Sequence, residues 1–178
     1  IRGPFNAAGA PDSESRKKIF SCYPANSAQE VTCAKQILNG LARRAFRRPI
    51  NANDMEVLLG FYQDGRNEGT NFDDGIEMGV RRILADPEFL FRKEHEPTNV
   101  RAGQKTRITD LELASRLSFF LWSSIPDEDL LKLAEQNKLH EPAVLEAQVK
   151  RMLADPKSDQ LVVNFAGQWL NLRGLAAQ

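Results

Sequence analysis

The sequence has no run of about 18 apolar residues, the length a membrane-spanning helix requires. Its most apolar piece, Leu117 to Trp122, is far shorter. It has no surplus of either charge, with 24 Lys and Arg against 24 Asp and Glu. That balance excludes a whole-chain electrostatic grip on nucleic acid or an anionic membrane. Histidine and cysteine are scarce, two of each. No C-x-x-C-H haem attachment, H-E-x-x-H, G-x-S-x-G, P-loop or G-x-G-x-x-G occurs, so the usual motif-borne routes to an enzyme are empty. What remains is a chain of 178 residues, 42% hydrophobic and 27% charged, with a mean hydropathy of −0.44. This is a globular composition, long enough for one sizeable core or two small ones. The chain starts at Ile1 without Met or a basic and apolar leader, so a targeting signal is expected to have been removed or to lie upstream in a longer parent.

Helical grammar repeats along the chain, and no alternating strand pattern interrupts it. Residues 1–26 hold Gly3, Pro4, Gly9, Pro11 and Pro24 with little periodicity and read as an arm or linker. Ser27-Ala-Gln-Glu30 reads as a capping box, followed by Val31, Ala34, Ile37, Leu38, Leu41, Ala45 and Phe46 at helical spacing until Pro49. A cap near Asn53 opens a second helix with Met55, Leu58, Leu59 and Tyr62 inward, and Asn71 opens a third. In that third helix Gly75 and Gly79 lie one turn apart, as close helix packing requires. Thr109-Asp-Leu-Glu112 is another capping box, and starts follow at Pro126-Asp127, Glu141-Pro142 and Asp155-Pro156. The expectation is an all-α fold: an irregular bundle of about seven or eight short helices in two packed subdomains, without a sheet. The first module is placed at 27–95, a connecting loop at 96–108 and a second module, cut short at its C-terminus, at 109–178. Arg81 to Pro87 echoes Lys150 to Pro156, which reads as a helix corner used twice: basic residues at a C-terminus, then Asp-Pro starting the next helix.

Several residues could carry chemistry. Asp73 and Asp127 with Glu128 offer the carboxylates of a glycosidase-type acid and base, although first-turn acids also serve helix dipoles. His140, and His95 between Glu94 and Glu96, are candidate bases, without a second ligand at metal spacing. Trp122 and Trp169 could stack on a sugar, yet each ends an apolar stripe, as core residues do. Arg43, Arg44, Arg47 and Arg48 form a basic patch in two helical rows. Up to Arg48 there are nine Lys and Arg but only three acids, Asp12, Glu14 and Glu30. This local surplus of six suits either an anion or pairing with the acidic remainder. Cys22 and Cys33 flank a turn-like stretch, so either a local disulfide or two reduced thiols fits. No metal site is read.

Leu41-Ala-Arg-Arg-Ala-Phe-Arg-Arg-Pro49, Leu84-Ala-Asp-Pro-Glu-Phe-Leu-Phe-Arg92, Glu112 to Asp127 (ELASRLSFFLWSSIPD) and Asn164 to Arg173 (NFAGQWLNLR) together resemble the paired helical modules of large secreted proteins from planctomycetes, acidobacteria and their relatives. Those proteins join such modules of unknown function to a c-type cytochrome domain. The resemblance implies a periplasmic or extracellular location, a fragment of a longer polypeptide, and haem, if any, in a separate domain. It also shifts the cysteine pair towards a Cys22–Cys33 disulfide. It supplies no catalytic residues. The expected function is therefore a non-catalytic scaffold or interaction module, with other domains of its parent, a c-type cytochrome or polysaccharide as partners and a link to redox or polysaccharide-degrading systems. The competing expectation is a hydrolytic or oxidative enzyme acting on polysaccharide through a carboxylate pair beside Trp122.

Overall fold

A computed structural model describes residues 13–69, 71–92, 100–101 and 103–171. Among them there is no strand, and the fold is all-α as expected. No helix among the described residues is long and apolar enough to cross a membrane. The helices are α1 (Glu14–Ile19), α2 (Ser27–Phe46), α3 (Ala52–Glu68), α4 (Phe72–Ala85), α5 (Pro87–Leu90), α6 (Asp110–Trp122), α7 (Glu128–Glu135) and α8 (Pro142–Ala154). A 3-10 turn (Pro156–Ser158), a π-helical run (Leu161–Ala166) and α9 (Gly167–Trp169) follow.

Short polar side chains set most of the starts. Ser13 accepts from the Arg16 amide and begins α1 within the stretch read as an arm. Asn51, two residues before the expected Asn53, makes a full capping box with Asp54. Asn71 and Asp74 exchange equivalent bonds of 3.1 Å each ahead of α4. Thr109 and Glu112 form the box anticipated for α6. The repeated corner is also real, since Asp86 and Asp155 each accept from the amide two residues on, at 2.8 Å. The box expected at Ser27 needs a correction, because the Glu30 carboxylate points to Arg66 and Tyr62 instead.

The chain divides into two compact units. Unit 1 comprises residues 1–42 and 50–85, and unit 2 comprises 43–49 and 86–178. In unit 1, Ala34, Ile37 and Leu38 of α2, Leu58 and Tyr62 of α3, and Phe72, Ile76 and Ile83 of α4 are buried. The two glycines of α4 act as notches, as their spacing implied. A Cβ on Gly75 would meet the Tyr62 ring at 2.6 Å, and one on Gly79 would meet Leu38 Cδ2 at 2.6 Å. Cys22 and Cys33 are joined in a disulfide, with Cα atoms 5.9 Å apart.

In unit 2, Ala114, Leu121 and Trp122 of α6 pack with Leu130, Ala134, Leu139 and Met152. Partly buried Leu111, Leu113, Leu117, Leu145 and Leu161 surround this cluster. The Trp122 indole N–H, which would be costly to bury unpaired, donates to the Met152 carbonyl at 2.9 Å.

Candidate functional site

The carboxylates proposed from sequence are each engaged by a cation. Asp73, in unit 1, accepts from Arg16 and from the Tyr23 hydroxyl. The bond its hydroxyl donates to Asp73 holds the Tyr23 phenol above its ordinary pKa. Asp127 caps α7 through the Leu130 amide at 3.0 Å. It also takes two bonds from Arg151, at 2.6 and 3.1 Å. Partial burial works to raise its pKa, but the Arg151 and Leu130 bonds outweigh burial and leave it lowered. Glu128 is lowered chiefly by its bond from Arg43. Asp73 and Asp127 fall in different units.

His140 meets Asp110 through Nδ1, and Asp110 also accepts from the Leu139 amide at 2.6 Å. Burial, and after it repulsion from Arg107, both pull its pKa below the ordinary histidine value. His95, Glu94 and Glu96 lie outside the described residues.

The two tryptophans separate. Trp122 is 1% exposed, and Lys157 Nζ and the Arg151 guanidinium lie 4.5 and 5.7 Å from its ring centroid. An indole closed over in this way has no face for a sugar, so its expected substrate-binding role is corrected to a core role. Trp169 is 75% exposed and stacks on Phe165 at 5.9 Å, with Phe120 edge-on to Phe165 at 5.5 Å. Both rings belong to the segment that contains the π-helical run, a wider and less common helix geometry.

The basic patch is dispersed by its partners. Arg43 reaches Glu128 at 2.6 Å and Glu135 at 2.8 Å. Arg44 is exposed. Arg48 lies 3.6 Å from Glu88. Arg47 takes a left-handed backbone conformation, φ 57°, which is uncommon for a residue with a Cβ. Its guanidinium is buried and donates to the carbonyls of Ala45, Glu88 and Phe91. It thereby satisfies carbonyls at the end of α5, as a cation near a helix C-terminus does.

Around these arginines lies what sequence reasoning did not find, a cavity of about 770 Å³ in unit 2. Its wall combines Arg47, Arg48, Arg92 and Arg116 with Phe46 and Phe91, and with Asp110 and Glu112 of the first turn of α6. Only the four-arginine run in 43–48 hinted at it, and the other walls come from residues 40 or more positions away. Among the described residues no group of three or more His, Cys, Asp or Glu side chains converges as a metal site.

These features define the class: a disulfide-bonded, all-α protein whose carboxylates are tied to arginines. More particularly, residues 33–94 match the family model PSD5, a protein of unknown function (DUF1595), and residues 108–178 match PSD4, a protein of unknown function (DUF1592). No curated protein and no solved structure matches the chain.

Proposed function

We propose that this chain is a non-catalytic helical interaction module of a larger exported protein, serving other domains of its parent within a redox or polysaccharide-degrading system. One observation carries the reading. Asp73, Asp127 and Glu128 are each held by an arginine, and Asp127 is at the same time a helix cap. A general acid needs a raised pKa, and Asp127 and Glu128 are shifted the other way. The disulfide is compatible with an oxidising, extracytoplasmic compartment.

The test is release of reducing ends from a panel of soluble and insoluble polysaccharides by the purified chain, with Asp73→Asn and Asp127→Asn variants alongside. No release by folded wild-type protein is expected. Release that vanishes in either variant would replace this reading with that of a glycoside-acting enzyme.

The exposed Phe165–Trp169 pair favours a second reading, in which the module contacts polysaccharide without cleaving it. Aromatic faces are suited to sugar rings, and Trp169→Ala should then abolish retention on an insoluble glycan while leaving thermal stability unchanged.

A further inference from the structure

On unit 2 we propose a homodimer interface, in which the outward face of residues 162–170, with Phe120 of α6 beside it, docks against the same face of a second copy of this chain. This goes beyond the module reading, which assigns no surface, and it competes with the glycan reading for Trp169.

The segment is inverted for a helix at a protein surface. Leu161 packs on the Trp122 cluster and Gly167 is buried, which fixes its inward side. On the side left bare, where a surface helix carries polar residues, stand Val162, Val163, Phe165, Trp169 and Leu170, which are 65, 56, 49, 75 and 56% exposed. Phe120, 53% exposed, meets Phe165 edge-on at 5.5 Å, and Phe165 stacks on Trp169 at 5.9 Å. The rings therefore form one continuous surface. The π-helical run Leu161–Ala166 falls in the same stretch, and such runs are frequent at functional sites.

Charge says what can cover it. Residues 160–171 contain no Asp, Glu, Lys, Arg or His, and neither do residues 117–125 around Phe120, in a chain that is 27% charged. A two-fold interface sets a patch against itself, so a surplus of one sign would repel its own copy, and a patch free of charge avoids this. A membrane surface would be met by Lys or Arg bordering the apolar residues. A sugar stacks on rings but gains little from Val162, Val163 and Leu170, whose branched side chains have no flat face. Dry contact with another protein covers rings and aliphatics alike.

The area is of the right size. At roughly 200 Å² for a whole aromatic side chain and somewhat less for Val and Leu, these six residues leave on the order of 600 Å² of apolar surface bare. That reaches the top of the range for the largest patch on a monomer, about 300–600 Å². It also supplies most of the ~800 Å² that each partner buries in a specific interface.

The experiment is sedimentation velocity of the whole chain over about three decades of concentration centred near about 10 μM. The mass should rise from 20.0 kDa to that of two chains and stop there. Trp169→Asp and Val162→Asp each press a charge against the apolar face of the other copy, and each should weaken dimerisation at least about a hundredfold. Both side chains are exposed, so circular dichroism and the Tm, taken at a concentration where the wild type is monomeric, should match the wild type. Val31→Asp, at a 47% exposed apolar position of unit 1, should leave dimerisation unchanged. About 1 M NaCl should leave the dimer intact or tighten it, because no charge pair holds it. Four outcomes overturn the inference: a single-chain mass at every concentration, including the case where that monomer is retained on insoluble glycan through Trp169; a mass that grows past two chains; a dimer undisturbed by both Asp variants; or a dimer dissolved by salt. None of these bears on glycan cleavage, so this proposal and the module reading fail separately.

Discussion

The two units are closed by different kinds of bond. Unit 1 is cross-linked by a local disulfide, Cys22–Cys33, and by polar groups distant in sequence, Glu30 held by Arg66 and Tyr62 and Asp73 held by Arg16 and Tyr23. Burial, reinforced by Glu30, pushes the Tyr62 hydroxyl up to about 12, so it remains a donor across the physiological range. Unit 2 has no disulfide. Two of its arginines serve helix ends, Arg47 at α5 and Arg151 at the Asp127 cap, while Arg43 ties the end of α2 to Glu128 and Glu135 of α7, around an apolar cluster centred on Trp122. Cross-links between elements constrain where helices lie, whereas cap-bound arginines fix where helices stop. A cavity with arginine walls occurs in the second arrangement, at α2, α5 and α6 termini.

The largest blow to this contrast should come from Trp122→Ala. It removes a side chain that is 1% exposed together with its bond to Met152, and such truncations cost about 3–5 kcal/mol. Hydrogen exchange should show lost protection in α6 to α8, with α3 and α4 retained. Equal loss in both units would show that the apolar cluster supports more than unit 2.

Next in size is the covalent tie. Replacing both cysteines with serine should destabilise unit 1 by about 3 kcal/mol, the chain-entropy expectation for so short a loop. Denaturant unfolding of the double variant, compared with oxidised and reduced wild type, measures it. If reduction leaves α2 and α4 as protected as before, the polar cross-links of Glu30 and Asp73 are sufficient and the contrast weakens.

How much of this was legible follows from distance along the chain. The box at Thr109 and Glu112 spans three residues and could be read directly, as could the doubled Asp-Pro corner and the glycine notches of α4. Ser27 to Glu30 carried the same signal, but Glu30 finds Arg66, 36 positions away, where a charged partner outcompetes a backbone amide. Trp122 and Trp169 end similar apolar stripes, and only the presence of Met152 and Lys157 around the first buries one and not the other. The cavity was hidden for the same reason. Arg47 in 43–48 reads as one of four equivalent cations until α5 supplies the carbonyls and Arg92 the neighbour that set it apart.

Smaller effects test how tightly unit 1 is notched. Gly75→Ala places a Cβ 2.6 Å from a Tyr62 ring that is itself held by Glu30, so the ring cannot yield cheaply and the loss should be about 1–3 kcal/mol. Gly79→Ala meets the end of a Leu38 side chain instead and should cost less. Gly60 has nothing within 4 Å of the added Cβ, and Gly60→Ala should stabilise by up to about 1 kcal/mol through helix propensity alone. The midpoints of urea unfolding should rank in that order, and a penalty at Gly60 equal to that at Gly75 would remove the packing explanation.

The smallest effect addresses unit 2 and separates cap from charge at Asp127. Asp127→Ala loses both and should cost about 1 kcal/mol. Asp127→Asn keeps a capping oxygen and loses only the pair with Arg151, which is part-exposed and worth less than about 1 kcal/mol. The pH dependence has a definite sign. The folded-state pKa of Asp127 is lowered from 3.8, so the contribution of its charge is complete above that ordinary value and disappears as pH falls through the lower folded value. The Tm difference between wild type and Asp127→Asn should therefore be constant from neutrality to about pH 5 and close on further acidification. A gap that instead closed between pH 5 and 7 would mean a raised carboxyl at Asp127. That is the condition a proton-donating catalyst needs and a structural cap does not.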